Sequence, residues 1–88
     1  MRNVITVAEF RRDVKLAGKR GNDMSKLREA IMLLAAGDPL PARYKDHPFG
    51  GNWSHHRDCH IASDWLLIYK FDGDDLYLVR TGTPSDLF

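Results

Sequence analysis

The spacing of apolar side chains changes several times along this chain, and each change marks an element. Asn3-Val4-Ile5-Thr6-Val7 is short and rich in β-branched residues, which predicts a strand. From Ala8 the apolar positions Phe10, Val14 and Ala17 recur at helical spacing, with Arg11, Arg12, Lys15 and Lys19 on the remaining surface. Gly18 weakens that helix and Gly21-Asn22 ends it. Asp23 is a suitable N-cap for a second helix with the stripe Met24, Leu27, Ile31 and Leu34, stopped by Gly37, Pro39 and Pro41. Pro39 to Asn52 carries too many prolines and glycines for regular structure. Trp53 to Ala62 then alternates, with Trp53, His55, Arg57, Cys59 and Ile61 expected on one face and Ser54, His56, Asp58 and His60 on the other. Trp65 to Phe71 is nearly continuous apolar, Asp72-Gly73-Asp74-Asp75 supplies a hairpin turn, and Leu76 to Arg80 is the returning strand. The order β-α-α-β-β-β predicts an α+β fold: two antiparallel helices packed on one face of a small antiparallel sheet, in a single domain over residues 1–88.

Composition narrows the class. A chain of 88 residues buries only ~60–65% of its unfolded surface, enough for one core. Apolar residues at 43% and charged residues at 28% are globular proportions, so a disordered tail is excluded. No apolar run approaches the ~20 residues of a membrane helix, and the N-terminus lacks a signal-peptide stretch. The single cysteine, Cys59, excludes a disulfide framework, and the chain is expected in a reducing cytoplasm. The net charge of +1 hides an asymmetry: residues 1–45 hold ten Lys/Arg against five acids, and residues 46–88 hold three against seven, with all four histidines. A cationic first half attracts phosphates, or is simply a solvated helix pair.

The second half carries the candidate chemistry. His56 and His60 would share a metal on a helix, but on a strand their spacing is ~13 Å, so no metal site is expected. Cys59, beside Trp53 and Ile61, reads as a buried inert thiol. Gly50 and Gly51 match no phosphate-binding loop. What remains is His47 in an extended loop, His60 near a strand end, Asp64 shortly after it, and Arg80 from the same sheet. Two imidazoles, a carboxylate and a guanidinium around one cleft suffice for metal-free phosphodiester cleavage. Histidine moves protons near neutrality, while arginine offsets the charge developing on the phosphorus oxygens. An exposed Trp65 or Phe88 would stack an unpaired base. Each has a plainer reading: a solvated loop histidine, an Arg80 paired with a nearby acid, a Trp65 in the core.

Longer stretches carry a resemblance. Asp13-Val14-Lys15-Leu16-Ala17 with Lys19-Arg20, Leu40 to Pro48 with Gly51-Asn52-Trp53, Arg57-Asp58-Cys59-His60, Asp64 to Lys70, and Arg80-Thr81-Gly82-Thr83 with Leu87-Phe88 together resemble the YafQ branch of the RelE-type toxins of bacterial toxin–antitoxin modules. The resemblance covers essentially the whole chain. It implies a microbial-ribonuclease-like α+β fold and a ribosome-dependent endoribonuclease that cuts mRNA in the A site without a cofactor. It also implies a cognate antitoxin, of ribbon-helix-helix, DinJ-like type, through which alone operator DNA is bound. By motif position it assigns acid/base work to His47, His60 and Asp64, and phosphate stabilisation to Arg80. It places Phe88 and Trp65 near the substrate and Asp58 in the same patch. Arg11, Lys15, Lys19 and Arg20 would then face ribosomal RNA phosphates.

One position departs from the family pattern. After Arg-Thr-Gly-Thr the family commonly has a histidine that transfers protons; here the residue is Pro84, which has no titratable group. His47 and His60 therefore suffice with Asp64, or the chain is a weakened or inactive toxin that still binds antitoxin and ribosome, or it is a detoxified variant.

Overall fold

The computed structural model describes residues 1–88, the side chain of Asn52 excepted. Strand β1 (Asn3–Thr6) leads into helix α1 (Ala8–Lys19) and helix α2 (Met24–Ala36). A connection with single 3-10 turns at Ala42–Tyr44 and Gly51–Trp53 flanks the two-residue strand β2 (His47–Pro48). Then come β3 (Arg57–Ala62), β4 (Trp65–Asp72), β5 (Asp75–Gly82) and a terminal helical turn, α3 (Pro84–Leu87).

The caps form where the turn chemistry puts them. Gly21 takes φ +82°, and Asn22 N–H closes back on the Ala17 carbonyl at 3.1 Å. Asp23 accepts from Ser25 N–H at 3.1 Å, and Gly37 at φ +80° ends α2, where a Cβ would be strained.

The five strands form one sheet in the order β1-β5-β4-β3-β2. β3, β4 and β5 are the expected antiparallel meander, but β1 runs parallel to β5, with Asn3 opposite Asp75 and Thr6 opposite Leu78. The sheet is therefore mixed rather than purely antiparallel. The helix hairpin is a crossover long enough to return the chain parallel to its start. Asp58 pairs with His47 in β2, giving regular structure inside a loop expected to be irregular. β3 begins only at Arg57, because His55 adopts φ +67° and Trp53 lies in a 3-10 turn.

Two apolar layers cover the sheet. On the helix side Phe10, Ala17, Leu27, Ala30 and Leu34 meet Cys59, Ile61, Trp65, Leu67, Tyr69, Leu76 and Leu78. On the opposite side Leu66, Ile68 and Leu87 pack with Phe49, Trp53 and Val79. Trp53 thus belongs to the far face, not to the face of Cys59 and Ile61. A bulge in β5 resets which of its side chains reach the helices. Ile68 faces Arg80 while Tyr69 faces Leu78, so Val79 is extra. The inserted residue moves Thr81, instead of Arg80, onto the helix side.

Candidate active site

The far face of the sheet gathers one of the expected groups. Asp58 and His60 stand two residues apart on β3, and His47 is directly across from Asp58 on β2. Lys45, in the left-handed region at φ 49°, turns its carbonyl to within 2.7 Å of His47 Nδ1. A carbonyl only accepts, so Nδ1 carries the hydrogen. His47 Nε2 then faces Asp58 Oδ1 at 3.1 Å, and this contact attracts only with a proton in it. Either the ring is an imidazolium facing a carboxylate, or Asp58 is an acid facing a bare nitrogen.

Asp58 is 7% exposed in its side chain and His47 52%. Burial pushes the Asp58 carboxyl above the usual carboxylate range, with His47 and His60 pulling it partly back and Asp46 raising it further. Its Oδ1 has no well-directed hydrogen bond among the described residues. The pair is fixed from behind. Asp46, next to His47, accepts from Arg57 at 3.1 Å and from the Tyr69 hydroxyl. His60 lines a neighbouring hollow of about 360 Å³ with Arg43, Tyr44 and Lys45.

Asp64 and Arg80 lie elsewhere. Both line a cleft of about 430 Å³ between the α1–α2 turn and the end of β5, together with Asp13, Arg20 and Lys26. Neither histidine lines it. The register puts Asp58, Ile68 and Arg80 in one row across three strands, ~10 Å from first to last at the backbone. The Arg80 guanidinium is nevertheless drawn to Asp13 of α1, Nε to Oδ2 at 2.7 Å and Nη2 to Oδ1 at 3.2 Å. The expected single cleft is thus two neighbouring groups: His47, Asp58 and His60 on the sheet, and Asp64 with Arg80 at its end.

One expectation changes outright. Trp65 is 4% exposed, and its indole N–H donates to Thr81 Oγ1 at 2.8 Å; a ring packed in the core cannot stack a base. Of the four cations expected to face RNA, Arg11 donates to Thr6 O and Oγ1 at 2.8 and 3.0 Å, and Arg20 grips Asp86 through both nitrogens at 2.6 and 3.1 Å. Both guanidiniums are exposed, and the remaining N–H groups of each have no partner among the described residues. Lys15 and Lys19 are exposed.

Phe88 is 64% exposed and leans on Phe49, ring centroids 5.4 Å apart. Phe49 carries no motif signal of its own, although it follows His47-Pro48 directly and extends the aromatic surface from Trp53 to Phe88. Pro84 is the first residue of α3, a favoured place for proline. There Thr83 and Asp86 form a reciprocal capping box. Gly82 permits that closure, since a Cβ would meet Asp86 Oδ2 at 3.0 Å. Cys59 is fully buried, and burial, with Asp46 and Asp58 adding to it, pushes its thiol up to about 12, as expected for an inert side chain.

This fold, a helix hairpin on a mixed sheet, is shared with toxins of type II toxin–antitoxin systems. The family described as "bacterial toxin of type II toxin-antitoxin system, YafQ" matches residues 2–88. The mRNA interferase toxin YafQ of Escherichia coli K12 is 47% identical over 88 residues, covering 99% of this chain and 96% of that protein. The crystal structure of the E. coli DinJ–YafQ complex superposes with a TM-score of 0.93 at 46% identity, covering 100% of this chain and 99% of that one. A metal-bound toxin from Helicobacter pylori does so with a TM-score of 0.94 at 38% identity, covering 100% of each. The chain belongs to the YafQ family of bacterial toxins. No helix among the described residues is long and apolar enough to cross a membrane.

Proposed function

We propose that this chain is an mRNA interferase: a toxin that cuts messenger RNA in the ribosomal A site by proton transfer without a metal, and so halts translation in the cytoplasm. The observation that carries this reading is the His47–Asp58 contact. Nδ1 is committed to the Lys45 carbonyl, so Nε2 is left as the atom facing a buried carboxyl at 3.1 Å, close enough to exchange a proton with it. Such a pair can deliver a proton to a departing 5′-oxygen. His60, on the same face, takes the proton from the 2′-hydroxyl, and Phe88 with Phe49 stacks a base. Arg80 and Asp64 meet the RNA from the adjoining cleft, Arg80 through the N–H groups that Asp13 leaves free. This chemistry calls on no metal ion.

The E. coli relative crystallises with DinJ, and by analogy this chain pairs with a small ribbon-helix-helix antitoxin that alone contacts operator DNA. Pro84 favours a second reading, a weakened toxin that retains antitoxin and ribosome binding, because the residue serves a helix cap and has no proton to move. Induced expression should arrest growth, relieved by the cognate antitoxin, with primer extension finding cuts inside codons that persist with EDTA. Growth arrest without cuts selects the weakened reading. Neither arrest nor cuts refutes the first.

A further inference from the structure

Arg80 is held more firmly than an ion pair alone requires. Asp13 lies on α1, 67 residues away in sequence, and both of its oxygens are used. Oδ2 accepts from Arg80 Nε at 2.7 Å and also from the Thr81 backbone N–H at 3.1 Å. Oδ1 accepts from Arg80 Nη2 at 3.2 Å. The Thr81 bond ties the carboxylate to β5 itself, beyond the point where β1 stops pairing at Leu78. The guanidinium plane is thereby fixed relative to the sheet along its Nε–Nη2 edge. Nη1 has no partner among the described residues, so its two N–H groups remain for a ligand.

Both residues are shielded, Asp13 at 13% and Arg80 at 24% side-chain exposure, and both line the cleft that also holds Asp64. A free arginine surrenders rotamer freedom when it grips a phosphate; one already clamped side-on does not. We propose that Asp13 is a positioning residue for RNA cleavage, orienting Arg80 so that its free edge meets the phosphate. The inference rests on the proposed cleavage reaction and on Arg80 as its fixed cation.

The test is a double-mutant cycle in ribosome-programmed mRNA cleavage by the full chain, using Asp13→Asn, Arg80→Ala and the double variant. Asn keeps an oxygen for Thr81 but loses the charge-assisted fork. Asp13→Asn should lower kcat by about 10- to 100-fold, the scale of a slightly misplaced group, with KM for programmed ribosomes nearly unchanged. On the Arg80→Ala background the same change should cost nothing more. A merely structural Asp13 would give equal losses on both backgrounds, and a carboxylate that only masks Arg80 would give a faster Asp13→Asn enzyme; either result overturns the inference. Should Asp13→Asn fail to fold, Asp13→Glu, which keeps the charge but displaces the fork, carries the same expectations. A wild-type chain that does not cut refutes the cleavage reading along with this one; a wild-type chain that cuts, with additive losses, refutes only this one.

Discussion

Replacing Asp58 by Asn should make the protein more stable and less active at once. The carboxyl is buried, its Oδ1 lacks a well-directed hydrogen bond, and burial raises its affinity for a proton above that of the unfolded chain. An asparagine amide would instead donate to the bare Nε2 of a His47 whose Nδ1 is already committed to Lys45. Relief of one poorly satisfied buried polar group is worth about 1 kcal/mol, or roughly 4–8 °C in Tm for a domain this small. The sign with pH follows from linkage. A carboxyl whose folded proton affinity is raised costs nothing below its unfolded pKa, and its penalty develops as pH rises through the folded value. The advantage of Asp58→Asn should therefore be absent near pH 3 and grow toward pH 8. Cleavage should fall by ~10²–10⁴, the usual contribution of an acid/base partner. Circular-dichroism melts across pH, with a cleavage assay on the same samples, check both. An Asp58→Asn protein less stable than wild type at pH 8, or equally shifted at every pH, would refute the shared-proton account. Undiminished cleavage would refute its role in the reaction.

Other outcomes rest on the same geometry. Cys59 should resist alkylation at pH 8 in the native protein and react only on unfolding, because its buried thiol is pushed up to about 12; Cys59→Ala should cleave normally. Asp86→Ala removes the partner of Arg20 and the capping box. It should speed hydrogen exchange at Leu87 and Phe88, while β4 amides stay protected. The Arg20 fork and the Thr83 backbone bond hold the Asp86 carboxyl far below the usual range. The capped turn should therefore persist in mild acid and loosen only as the carboxylate protonates. Charge reversal at Lys15 and Lys19 should weaken ribosome association more at low salt than at high salt; a salt-independent loss would point to misfolding. Pro84→His, by growth arrest on induction, should raise toxicity if the chain is a weakened enzyme and leave it unchanged if His47 and His60 suffice.

Local chemistry is legible in the chain, and long-range chemistry is not. The caps at Asp23 and Gly37, the stripe Leu27–Leu34 and the hairpin at Asp72–Asp75 depend on neighbours within a few residues, so spacing reveals them. The parallel pairing of β1 with β5 is a non-local choice that a four-residue strand does not encode. The bulge at Val79 shifts every later side chain by one face, and that shift decides that Thr81, sixteen residues beyond Trp65, satisfies the indole N–H. This makes Trp65 a core residue. The plainer reading of Arg80, paired with a nearby acid, describes its contact, yet nothing in sequence order links it to Asp13. The family resemblance points to both His47 and Asp58, but only the register of β2 on β3 makes them a pair.

The most direct test is the pH dependence of single-turnover mRNA cleavage on programmed ribosomes, comparing the wild-type chain with His47→Ala in the presence of EDTA. The account predicts chelator-resistant cuts within the A-site codon and a rate profile with an alkaline limb, where the rate falls as the imidazole–carboxyl pair loses the proton it donates. In His47→Ala that limb should vanish and the rate should fall by at least ~10². Cuts that persist at the wild-type rate in His47→Ala, or that disappear on chelation, would contradict it.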